Sequence, residues 1–144
     1  MAIQQGITTS FKQQMLQAVQ NLVSDELFMA LYTGFATLGP DTTIYDAADV
    51  NEVSSVDTGY EQGGKQLTGV SVNTDYTTGL VYVSFDNVVW DPANFTARGA
   101  LIYNKTQSYK SVAVINFGSD KVATNTFTVT MPVNAPTTAL LRFT

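Results

Sequence analysis

Apolar residues fall at every second position in short segments of the chain's second half, and near its start they recur at steps of three and four. In residues 10–23, Phe11, Met15, Ala18, Val19 and Leu22 share one face while glutamines fill the other, which predicts an amphipathic helix. Ser10 and Gln13 have capping-box spacing at its start. Such a face either covers a sheet or docks on a neighbouring subunit. Residues 27–33 are almost continuously apolar and stop at Gly34, the pattern of a central strand buried on both sides. In residues 80–85, Val81, Val83 and Phe85 alternate with Tyr82 and Ser84, and in residues 126–131, Phe127, Val129 and Met131 alternate with threonines. Further short runs at 66–73, 100–103, 112–117 and 139–143 lie between turn signals such as Thr78-Gly79, Asp91-Pro92 and Gly118-Ser119-Asp120. Seven strands, one helix and no alternating helical crossovers predict a mainly β domain spanning residues 1–144. The expected form is an antiparallel sandwich or barrel, jelly-roll-like or immunoglobulin-like, with one N-terminal α-helix.

Between Thr37 and Gly64 this periodicity fails. Asp46, Asp49, Glu52, Asp57 and Glu61 lie in this polar stretch, which is too long for a plain connector and is therefore expected to carry partner contacts. Its acids offer oxygen ligands of the kind calcium takes, but their spacing fits no EF-hand, and a solvated acidic loop is the alternative.

Composition narrows the chemistry. With 44% hydrophobic and 13% charged residues the chain has material for one core, and its net charge of −5, with scattered cations, argues against a nucleic-acid partner. It contains neither His nor Cys, which removes thiol nucleophiles, Cys-based zinc sites and the usual serine triad. No phosphate-cradling glycine motif occurs, and no cofactor or metal site is predicted. No apolar stretch reaches the roughly 18 residues that span a bilayer, and no secretory leader pattern opens the chain, so a soluble protein made in the cytoplasm, without a membrane partner, is expected. Two carboxylates, Asp86 and Asp91, bracket Trp90 and raise a glycosidase pair as one option. The competing reading makes Asp91-Pro92 a turn and Trp90 a core residue. Arg98, beside an apolar run, is expected to form an internal ion pair, with Asp86 or Asp91 as partners.

The block Phe85-Asp86-Asn87-Val88-Val89-Trp90, continuing through Phe95-Thr96-Ala97-Arg98-Gly99-Ala100-Leu101-Ile102-Tyr103-Asn104, resembles one in small virion proteins of tailed bacteriophages. Asn51-Glu52-Val53-Ser54, Gly59-Tyr60, Gly63-Gly64-Lys65 and Ala113-Val114-Ile115-Asn116-Phe117-Gly118-Ser119-Asp120-Lys121 resemble the same group in the same order. Members with a role are similar to capsid cement, or decoration, proteins, which bind outside the capsid lattice and commonly form trimers. The resemblance implies a non-enzymatic structural protein on the outer capsid surface of the virion, partnered by the major capsid protein and by copies of itself. A tail, fibre or head-to-tail junction subunit is the alternative, and a carbohydrate-binding module a further one. Partner contacts are expected from Ile3, Gln4, Gln5 and Ile7, in an N-terminal arm over residues 1–9, and from Tyr45 and Tyr60 in the long loop.

Overall fold

In the computed structural model, which describes residues 2–144, backbone pairing produces ten strands and one helix. In chain order these are Gly6–Ile7 (β1), Thr9–Leu16 (α1), Leu27–Tyr32 (β2), Lys65–Gln66 (β3), Ser71–Asp75 (β4), Leu80–Ser84 (β5), Val88–Trp90 (β6), Phe95–Asn104 (β7), Lys110–Ala123 (β8), Phe127–Val129 (β9) and Leu141–Phe143 (β10). They form a five-stranded sheet of order β1-β8-β7-β2-β3, a three-stranded sheet β10-β5-β4 and the pair β6-β9, and every strand pair is antiparallel. The protein is thus mainly β, with one short helix, and consistent with a β-sandwich.

The large sheet is buried on both faces, which explains the unbroken apolar run of β2. From one face Leu27, Met29 and Leu31 meet Ile102, Val83, Phe85, Trp90 and Phe127 in the main core between the sheets. From the other, Ala30 and Tyr32 meet Ile3, Leu38, Tyr45, Leu101 and Tyr103 in a second cluster. This second layer contains no sheet. It is built from the N-terminal segment and the first half of the long loop.

The N-terminal residues expected as an arm are docked on their own chain. Gln4 N donates to Leu38 O at 2.8 Å, Leu38 N to Ala2 O at 3.1 Å, and Asn116 Nδ2 to Ile3 O at 3.0 Å. Gly6 and Ile7 then pair with Val114 and Ala113. Gly99 permits the docking, because a Cβ there would lie 2.8 Å from Ile3 Cδ1 and 2.6 Å from Ile115 O.

The helix is shorter than its periodicity predicts. Thr8, not Ser10, caps it, accepting from Phe11 N at 3.4 Å, while Ser10 Oγ lies 3.3 Å from Ser111 Oγ. It ends in a Schellman arrangement, with Ala18 left-handed at φ 57°, Ala18 N donating to Met15 O and Val19 N to Gln14 O. Gln20 then turns inward and binds Ser111 O and Asn104 Nδ2, so side-chain bonds replace the turns that would have continued the helix.

The predicted strand 66–73 divides at Leu67–Val70. There Gly69, at φ +63°, carries the chain from β3 in one sheet to β4 in another, and the Asp86 carboxylate occupies the space a Cβ would take. Strands β7 and β8 extend well beyond the predicted 100–103 and 112–117, and Gly118-Ser119-Asp120 lies within β8. Neither β1 nor β6 is visible as a separate strand in the sequence pattern.

Candidate functional site

The long loop closes on one carboxylate. Glu52, 8% exposed, sits beside β2 through its bridge to Tyr32, and it accepts three hydrogen bonds. Tyr45 Oη donates to Oε1 at 2.8 Å, and Tyr60 Oη and Gly63 N donate to Oε2 at 2.5 and 2.8 Å. Tyr60 Oη in turn accepts from Leu31 N at 3.0 Å, which ties the loop to β2. A buried carboxylate persists only when its oxygens are satisfied in this way. Burial first, then the hydrogen bonds to Glu52, pushes the Tyr60 and Tyr45 phenols above the ordinary tyrosine range. Burial and the nearby Glu52 charge do the same for Tyr32 and Tyr103.

Two other loop acids shape turns. Asp46 accepts from Ala48 N and Asp49 from Asn51 N, both at 2.9 Å. Among the described residues no group of acids could hold a metal ion. The reading of a uniformly solvated acidic loop therefore fails at Glu52, which is a structural anchor. Sequence reasoning missed it because nothing local separates Glu52 from its neighbours; its partners come from positions 45, 60 and 63.

Above this anchor the loop and the β7–β8 turn enclose a groove of about 350 Å³. Its floor is Tyr45 stacked on Tyr103 at 4.4 Å and 12°, with Phe28 stacked on Tyr103 at 5.9 Å. Tyr109 borders it, 6.1 Å from both tyrosine rings. Lys105 Nζ lies 5.0 Å from the Phe28 ring centroid. Tyr103 Oη donates to Gly63 O at 2.6 Å, so both floor hydroxyls are engaged and both rings are fixed.

A second surface is apolar. Met15, Leu22 and Val23, from the end of α1 and the chain beyond it, face Val72, Val81 and Phe143 of the three-stranded sheet across a groove of about 510 Å³. Leu16 and Val23 are 92% and 67% exposed, and Val72 stands on β4, an edge strand. Exposed apolar surface of this kind marks interaction sites more often than it serves the fold.

The residues singled out in the sequence are dispersed. Ile3 is buried in the second cluster, Gln5 accepts from Asn116 N at 3.1 Å, Ile7 packs on the main core, and Gln4 is exposed beside Leu38. Tyr45 and Tyr60 are buried on Glu52. Of the six, only Gln4 and Gln5 leave an exposed side chain for a partner. Arg98 pairs with Asp120 at 3.3 Å, not with Asp86 or Asp91, and this pair is 40% and 60% exposed. The β7–β8 pairing brings residues 97 and 121 opposite each other, which sets that choice. Asp86 accepts from Thr68 Oγ1 at 3.2 Å, and Trp90 is 1% exposed in the core, so its ring offers no stacking face beside the two acids. Among the described residues no helix is long and apolar enough to cross a membrane. Comparison with protein-family models, with curated proteins and with solved structures gave no match for this chain.

Proposed function

We propose that this protein is a non-enzymatic structural component of a tailed-bacteriophage particle, and that within it the chain acts as a cement protein on the outer surface of the DNA-filled head. The observation that carries the proposal is the exposed apolar face at the end of α1, where Met15 and Val23 adjoin Val72 and Val81 of an outer sheet and Leu16 stands exposed beside Met15. A soluble protein gains by covering such a face, and a capsid lattice supplies a surface on which to cover it. The resemblance of the ordered sequence blocks to small virion proteins supports reading that lattice as a phage capsid.

The mechanism is mechanical. Each copy buries additional surface on the assembled shell and binds it in preference to free capsid protein, so occupancy stabilises the shell by mass action. A rigid two-core fold suits this role, because little ordering entropy is lost on binding. Candidate chemistry is sparse: the buried carboxylate is occupied by three donors, and Asp86 is held by Thr68.

The test is addition of purified protein to heads lacking it, followed by heating. Wild-type protein should raise the temperature at which DNA escapes, and Leu16→Asp with Val23→Asp, both on exposed sites, should fold normally and lose the effect. Heads that neither bind nor gain heat resistance would remove the cement reading. Copies confined to one vertex would favour a tail or junction subunit.

A further inference from the structure

The groove over the Glu52 anchor contains a conformational cost that the fold does not require. Between β7 and β8 the chain reverses through Gln107–Lys110, with Lys110 N donating to Gln107 O at 3.2 Å and Ser108 and Tyr109 at φ 56° and 64°. Two consecutive left-handed residues define a type I′ turn, where Asn-Gly is the favoured pair and a bulky side chain is disfavoured. A tyrosine nevertheless occupies the second position. It is not there to fill the core, since it is 43% exposed. What the turn achieves is placement: Tyr109 stands beside the fixed Tyr45 and Tyr103 rings, and its carbonyl accepts from Tyr45 N at 2.8 Å. Strained backbone of this kind concentrates at ligand sites.

We propose that this groove is a carbohydrate-binding subsite that takes a hexose ring of a glycan. Tyr109 supplies the aromatic face for the apolar C–H face of the ring, and Phe28, stacked on Tyr103 with the Lys105 ammonium over it, forms the adjoining wall. The Lys105 ammonium, without an ion pair among the described residues, supplies a donor for its hydroxyls, and Gln62, whose Nε2 donates to Ala47 O at 2.6 Å, supplies its amide oxygen as an acceptor. The volume of about 350 Å³ lies in the usual range of small-molecule sites. The floor is pre-organised, because Glu52 and Gly63 lock both buried tyrosines before any ligand arrives. Trp90, the aromatic residue that draws attention in the sequence, takes no part.

The experiment is saturation-transfer NMR of the whole protein with a panel of hexose oligosaccharides, followed by titration of those that respond. Transfer to ring protons is expected. Tyr109→Gly should weaken binding at least tenfold while leaving the thermal midpoint unchanged or higher, because glycine relieves the left-handed turn. Lys105→Ala should weaken binding several-fold, and Tyr76→Ala, at an exposed tyrosine outside the groove, should leave it unchanged. A panel without response at millimolar sugar overturns the proposal. So does a Tyr109→Gly variant that binds normally or loses several degrees of stability, since the tyrosine would then serve packing. Binding of a proline-rich peptide with no response to sugars also overturns it.

Discussion

Replacing Glu52 tests whether one carboxylate organises the long loop. In Glu52→Leu three donors lose their acceptor: Tyr45 Oη, Tyr60 Oη and Gly63 N. Each buried donor left unsatisfied costs about 1–3 kcal/mol, and Tyr45 can recover part of its share by turning toward the groove, so the expected loss is about 3–5 kcal/mol. Glu52→Gln should cost less, about 1–2 kcal/mol. The amide oxygen can keep Tyr60 and Gly63 while Tyr45 reverses to accept from the amide nitrogen, and what is lost is the charged character of the bonds. The assay is urea unfolding followed by fluorescence of Trp90, the single tryptophan and a buried one. Tyr60→Phe completes the cycle, since that hydroxyl also accepts from Leu31 N. Coupling between positions 52 and 60 of at least about 1 kcal/mol is expected. A Glu52→Leu variant within about 1 kcal/mol of wild type, or strict additivity with Tyr60→Phe, would refute the reasoning.

Gly64 has φ +81°, and a Cβ there would lie 1.8 Å from Met29 O, so Gly64→Ala should cost more than about 3 kcal/mol in the same assay or prevent folding, where a tolerated alanine would contradict the geometry. Thr8→Ala removes the helix cap together with bonds to Val112 O and Ser111 Oγ; a loss of about 1–2 kcal/mol is expected, with reduced helical circular dichroism. Alkaline pH should unfold the protein: Tyr32, Tyr45, Tyr60 and Tyr103 have phenols raised in the folded state, chiefly by burial. The folded state therefore holds protons that the unfolded chain releases near pH ~10, and stability present below that value falls above it by up to about 1.4 kcal/mol per pH unit for each tyrosine. The urea midpoint should drop between pH 9 and 11, and tyrosinate absorbance from these four should rise together with unfolding; a flat midpoint would contradict this.

Much of the sheet framework is legible because burial imposes period on strands. The unbroken run of β2 announces two covered faces, and Phe127 and Val129 alternate with threonines as a half-exposed strand must. The helix is misjudged because its end depends on Ala18, a good helix former held left-handed by Schellman bonds and followed by a buried Gln20. The length of β8 is hidden because Gly118-Ser119-Asp120 has turn chemistry and bulges out of the ladder, which resumes on its far side where Lys121 pairs with Ala97. The aromatic groove is the least legible part. Phe28, Tyr45, Tyr103 and Tyr109 come from a strand, a loop, a second strand and its turn, and only the fold brings them together. No local signal marks it, because the β7–β8 connection runs over residues 105–109 and the left-handed backbone of Ser108 and Tyr109 shows only in the fold.

The central claim, a structural role on the capsid exterior, is tested most directly by a three-dimensional map of intact phage particles assembled in cells that produce this protein. The account predicts many copies on the outer head surface, repeating with the lattice and seated through the apolar face at Met15, Leu16 and Val23. Copies at a single vertex or along the tail, or a particle without the chain, would contradict it.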